Sequence, residues 1–171
     1  MIPQFVPQNV CLACDGCCRF KDEESVFRPK MAATEIKELC GRLPLPEKIF
    51  AKERLQESGH LKTIAQEGFC HCTFFDLEKN TCGIYAHRPF ECQLYPFLLT
   101  RRGEEVFICV HLSCPYVQEK KDSPAFQDYA ARLKRYFQKK EVLEFLRRNP
   151  FLIEDYSEYK DELEEVFSLV L

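Results

Sequence analysis

The spacing of apolar residues along this chain changes twice, and the changes predict its architecture. From the start to about Arg28 no period holds, and Pro3, Pro7 and Gly16 interrupt every short apolar run, which predicts an irregular segment. Thr34 offers an N-cap for a short helix through Leu39, closed near Gly41, and Pro46 can open a second helix that runs to Ser58 before Gly59. Residues 61–65 and 69–75 read as extended. Residues 97–100 and 106–110, flanking an Arg-Arg-Gly-Glu-Glu turn, read as a hairpin, so the middle of the molecule is expected to be a small antiparallel sheet.

After Cys114-Pro115 the period becomes helical. Ser123-Pro124 supplies an N-cap and first-turn pair, and Phe126, Tyr129, Ala130, Leu133, Tyr136 and Phe137 recur at helical spacing. Tyr156, Tyr159, Leu163, Val166, Phe167 and Val170 form a second such stripe opposite an acidic face, which predicts a terminal helix. The expected fold class is α+β, with a small antiparallel sheet and cysteine-bearing loops packed with two or three C-terminal helices. One domain over residues 1–171 is expected, its ligand-bearing part at about 11–115 and its helical part at about 116–171. The chain has no internal repeat, low-complexity stretch or Gly/Ser linker to suggest a boundary.

Composition narrows the possible partners. A net charge of -3 over 171 residues gives no basic field to draw the protein onto nucleic acid or anionic lipid. No apolar run nears the ~20 residues needed to span a bilayer, and MIPQFVPQNV lacks the basic and apolar regions of a secretory signal. The expectation is a cytoplasmic protein with a protein as partner and neither nucleic acid nor membrane. The six glycines are all isolated, so no phosphate-cradling loop is formed, and no set of nucleophile, base and orienting group can be assigned.

Eleven cysteines then dominate the picture, because an odd count in a chain with a sizeable core and no export signal is poor material for a disulfide framework. CLACDGCC places Cys11, Cys14 and Cys17 two residues apart, a spacing that aims successive sulfurs at one point. Cys18 is expected to point elsewhere, which suggests two neighbouring sites or one bridged binuclear site. Asp15-Gly16 can turn backbone N–H groups toward the sulfurs. Three close cysteines with a distant Cys114-Pro115 echo the loop that holds a [4Fe–4S] cluster, whereas four thiolates suit zinc equally well.

A second block carries Cys70, Cys72, Cys82 and Cys92 among Tyr85, Arg88, Pro89, Tyr95 and Pro96. CxxCxxCC, then C-x-F-F, C-x-I-Y-x-x-R-P-x-x-C and Y-P-F, resembles the CxxCxxCC family of zinc- or iron-chelating proteins, the YkgJ-type cysteine-cluster proteins, from about Cys11 to Cys114. The resemblance implies metal ligands at Cys11, Cys14, Cys17, Cys18, Cys72, Cys82, Cys92 and Cys114, enough for two four-ligand sites. Cys70 competes with Cys72, because alternate residues of a strand share a face. The expected cofactor is an iron–sulfur cluster, with [4Fe–4S] preferred on the three-cysteine loop and the Cys114-Pro115 echo, or zinc, in a metal-binding protein whose centre organises the fold or serves electron transfer or maturation of another protein.

Two further readings accompany it. One is a zinc-stabilised protein-interaction module; the other, from similar segments in the flagellin lysine N-methylase family, is an enzyme. An all-thiolate centre carries about two negative charges. Arg88, fixed by Pro89, is the expected offsetting cation, with Arg19 contributing. Cys40 and Cys109 are expected to be structural thiols, His71, His87 and His111 surface or outer-shell groups, His60 a helix-end contact, and Tyr85 and Tyr95 packing residues.

Overall fold

The structure, a computed structural model, describes residues 2–14, 16–43 and 58–171. The chain folds as α+β in two compact units, Pro7–Cys92 and Met1–Val6 with Gln93–Leu171.

Pro7–Cys92 is built from short elements whose cohesion comes from tertiary contacts. Helix α1 (Gln8–Leu12) precedes a one-turn 3₁₀ helix, Gly16–Cys18, and strand β1 (Arg19–Phe20). Strand β2 (Lys30–Ala32) runs into α2 (Ala33–Arg42) and pairs with β3 (Ser58–His60). Strands β4 (Thr63–Gln66) and β5 (Phe69–Cys72) complete an antiparallel sheet of order β1-β5-β4. A hairpin of β6 (Phe75–Asp76) and β7 (Thr81–Cys82) leads through a 3₁₀ turn, Tyr85–His87, into α3 (Phe90–Leu94). The core joins Phe20, Met31, Leu39, Leu61, Phe75 and Ile84 to Cys70 and Cys72.

Two carboxylates cross-link this unit. The Glu35 carboxylate of α2 accepts the Ala32 N–H at 2.9 Å and, with its other oxygen, the Phe90 N–H at 2.6 Å. Glu91 of α3 reaches back to accept the Lys30 N–H at 2.5 Å. Carboxylates at exposed backbone donors satisfy groups that a short helix cannot satisfy itself. The start of α3 is thereby pinned to the β2–α2 junction.

In the other unit, β8 (Phe97–Arg102) and β9 (Glu105–His111) form the predicted hairpin. Gly103 takes φ +62° in its two-residue turn, a backbone angle that costs glycine little. Every residue of β9 from Val106 to His111 is buried. Helices α4 (Pro115–Lys120), α5 (Pro124–Phe137) and α6 (Lys140–Arg148) follow. Ser123 caps α5 as expected, its hydroxyl accepting the Phe126 N–H at 3.2 Å. Phe97 of β8 stacks on Phe126 of α5, and Phe5 meets Phe97, Tyr116, Phe126 and Tyr129. The Tyr129 hydroxyl donates to the Pro3 carbonyl at 2.6 Å, completing the anchorage of the first residues.

Four expectations are corrected. The terminal stripe is no helix: residues 157–162 form 3₁₀ turns, and β10 (Leu163–Leu169) pairs with β9 in a sheet of order β10-β9-β8. A buried strand such as β9 needs partners for its backbone groups on both edges, and that demand outweighs a helical apolar period. A bulge between Glu165 and Phe167 shifts the register, and the acidic residues pair outward, Glu164 with Lys121 at 3.0 Å and Glu165 with Arg102 at 3.1 Å. The single middle sheet is instead divided between the units. Gly59 and His60, expected at a helix end, lie in β3 with Ser58; the rest of the helix expected from Pro46 to Ser58 lies outside the described residues. Thr34 lies inside α2, whose N-cap residue is Ala32, with Glu35 supplying the capping carboxylate.

These contacts separate two substitutions on one turn. Glu35→Ala leaves two N–H groups without their acceptor and should cost about 1–3 kcal/mol, read as a lower urea midpoint. Thr34→Ala should change the stability by less than about 0.5 kcal/mol; a loss of cap-like size there would contradict this arrangement.

Candidate metal centre

Seven of the eight candidate thiols are brought together within Pro7–Cys92, Cys14 among them as an electrostatic neighbour of Cys11. Cys11 lies on α1, Cys17 and Cys18 on the Gly16–Cys18 turn, Cys72 at the end of β5, Cys82 at the end of β7 and Cys92 on α3. The β6–β7 hairpin brings Cys82 opposite Phe75, three residues after Cys72. Asp76 organises its turn by accepting the Glu78 and Lys79 N–H groups at 3.1 and 3.0 Å, and the Lys79 donation holds its carboxyl below the usual range. Gly83 follows Cys82 because a side chain there would press the Phe74 carbonyl at 3.3 Å. The Gly83 N–H donates to that same oxygen at 2.8 Å.

Cys17 is the common neighbour. It interacts electrostatically with Cys11, Cys18, Cys72, Cys82 and Cys92. The Cys17 and Cys18 thiols are hydrogen-bonded to each other, so the adjacent pair does not diverge as the sequence suggested. That bond, burial and the neighbouring sulfurs push Cys18 far above an ordinary thiol. Burial raises Cys72 to about 12, with Cys82 and Cys17 adding to it. Burial also raises Cys92 well above its usual value, reinforced by Cys72, Cys17, Cys82 and Glu91. Sulfurs placed this close resist ionising together.

Donors on the backbone oppose that pressure. The Cys72 sulfur accepts the Phe74 N–H, Cys82 accepts the Ile84 N–H, and Cys14 accepts the Gly16 N–H at 3.5 Å. Each donor lies two residues beyond its thiol, a repeated local turn that suits a thiolate. The expectation for Asp15-Gly16 is met at Gly16; Asp15 lies outside the described residues.

Arg88 is where the sequence placed an offsetting charge. Its guanidinium donates toward Cys11 Sγ at 3.7 Å and acts on Cys82 as well. Arg19 lies over the Phe69 ring at 4.5 Å. Tyr85 is the residue that sequence reasoning missed: its side chain hydrogen-bonds Cys11, and its ring stacks under Arg88 at 3.6 Å. The signal was present in Tyr-x-x-Arg-Pro, since three residues make one 3₁₀ turn.

The remaining cysteines divide by environment. Cys70 packs in the core and has Glu23 and Asp22 as its charged neighbours, in contrast to the sulfur neighbours of Cys72. Cys40 packs against that core, and Cys109 is fully buried in β9, where burial raises its thiol to about 11. Cys114 lies in the other unit as the N-cap residue of α4, with Pro115 in the first turn. His71 and His111 are buried, so of their expected surface or outer-shell placements the surface one does not hold. His71 Nδ1 is 3.0 Å from the Cys72 carbonyl; His111 lies between the Tyr95 hydroxyl at 3.3 Å and Glu162 at 3.4 Å. Tyr95 is thus more than a packing residue.

The donor set fits a thiophilic metal, being crowded thiols with N–H donors and a cation arranged around them. Among the described residues, no three His, Cys, Asp or Glu side chains form a ready-made ion cage. Residues 10–115, more than half of the chain, match the family model CxxCxxCC, described as "Putative zinc- or iron-chelating domain". No solved structure matches the chain.

Crowding has a measurable consequence in the metal-free protein. Unfolded thiols ionise at about 8.5, whereas folded Cys72 keeps its proton to about 12. The proton favours the folded chain, and that advantage is lost as pH rises from the unfolded value through the folded one. The urea midpoint should fall between about pH 8 and about pH 10. A midpoint that stays level in that interval would contradict the thiol environment.

Proposed function

The chain belongs to the CxxCxxCC family, and we propose that Pro7–Cys92 holds an iron–sulfur cluster or zinc through Cys11, Cys14, Cys17, Cys18, Cys72, Cys82 and Cys92. One observation carries the reading: Cys17 neighbours five other cysteines drawn from both sequence blocks. Protons on those thiols are the charge that a metal replaces, so binding releases protons and draws the sulfurs inward. An eighth donor, Cys114, rests on the sequence resemblance.

The three-cysteine loop favours an iron–sulfur cluster, which supplies one-electron chemistry when bound. Zinc would supply folding energy alone in a four-thiolate site. Around either group, the protein's own residues shield the sulfurs and donate to them from Phe74, Ile84, Gly16 and Arg88. The role that follows from a cluster is electron transfer or support of another protein's maturation. Cys70 is excluded from the proposed ligand set.

Anaerobic purification followed by iron, sulfide and zinc analysis tests the proposal. Brown protein with matched iron and sulfide is the expected result; colourless protein with stoichiometric zinc selects the structural role. Cys17→Ser should remove most of the metal, whereas Cys70→Ser should retain it. Equal retention in both variants would refute Cys17 as the shared donor.

A further inference from the structure

The 3₁₀ turn Tyr85–His87 and the two residues after it form a preorganised unit beside Cys11. A 3₁₀ helix has about three residues per turn, which puts side chains at i and i+3 on one face. Tyr85 and Arg88 have that relationship, and the guanidinium carbon lies 3.6 Å from the Tyr85 ring centroid. Arg88 itself has left the helix, with φ −57° and ψ 140°, the extended conformation favoured before Pro89. The turn therefore presents a flat cation on an aromatic face.

Both members of the pair touch the same sulfur. Arg88 Nη1 donates toward Cys11 Sγ at 3.7 Å, and the Tyr85 side chain hydrogen-bonds that sulfur. Cys11 is half-buried, and α1, the helix that carries it, has only five residues and no buried residue of its own. A short helix with no buried face does not fix a side chain by packing. Polar contacts at the sulfur are the available restraint, and Arg88 also acts on Cys82, linking Cys11 to the hairpin thiols.

Resting on the metal-binding reading above, we infer that Tyr85 and Arg88 are positioning residues that clamp the Cys11 sulfur and tune it as a metal donor. The hydroxyl and the guanidinium both withdraw electron density from the sulfur. The stacked ring keeps the guanidinium in line, a restraint that the flexible stem of lysine lacks.

The test uses the full reduced chain, stripped of metal and titrated with cobalt(II), with zinc as competitor. Tyr85→Phe removes only the hydroxyl, and Arg88→Gln removes the charge. Each should weaken cobalt binding about 10- to 100-fold and move the sulfur-to-cobalt charge-transfer band to lower energy, because a sulfur with fewer hydrogen bonds is more electron-rich. Arg88→Lys should restore most of the band position and only part of the affinity. Wild-type affinity and band in both Tyr85→Phe and Arg88→Gln overturn the inference and leave the metal-binding reading intact. Weaker binding with an unmoved band and a lower melting temperature makes the pair structural and also overturns it. A wild-type chain that binds no cobalt overturns both.

Discussion

Sulfur crowding around Cys17 is the constraint to which the rest of Pro7–Cys92 answers, because five other cysteines lie within its electrostatic reach. Two like charges ~4 Å apart repel by about 4 kcal/mol at an effective dielectric constant near 20. Several thiolates together exceed what a single guanidinium can offset. The protein surrounds them with N–H groups from Phe74, Ile84 and Gly16 and with Arg88, all of the sign that favours negative sulfur. Those groups moderate the crowding without removing it, so the thiols keep their protons unless a cation replaces them.

Holding such a group requires a scaffold stiffer than its elements are individually. Helices of five residues and strands of two cannot persist alone. Glu35 and Glu91 provide reciprocal cross-links between the β2–α2 junction and α3, which carries Cys92. Burial pushes the Glu35 carboxyl up even though two N–H groups oppose that rise. The hairpin under Asp76 orders Cys82 in the same manner, through local polar contacts. Polar anchoring thus reinforces the apolar core around Phe20, Met31 and Leu39 in this unit, while Phe97, Phe126 and Tyr129 pack together in the other.

Elements defined by local chemistry were legible in the sequence. The Ser123-Pro124 start of α5, the hairpin around Gly103 and the separation of structural Cys109 from the clustered thiols all depend on neighbouring residues. The two cysteine blocks and Arg88 were legible because ligand spacing and a cation before proline leave a direct imprint. Tyr85 was read as packing because its hydroxyl partner, Cys11, lies 74 positions earlier in the chain. His71 and His111 were read as surface or outer-shell groups, and their burial was not legible because no local period marks a buried imidazole.

The sequence by itself determined that the protein is α+β, that its cysteines form two blocks of the CxxCxxCC kind, and which thiols were candidates. Spacing and turn residues encode those features over a few positions. Only the tertiary structure decided that Cys17 is the common neighbour, that Cys72 and not Cys70 faces the other sulfurs, and that residues 163–169 form a strand. Each of these depends on partners distant in the chain: β10 takes its conformation from the open edge of β9, and a thiol its character from the charges folded against it.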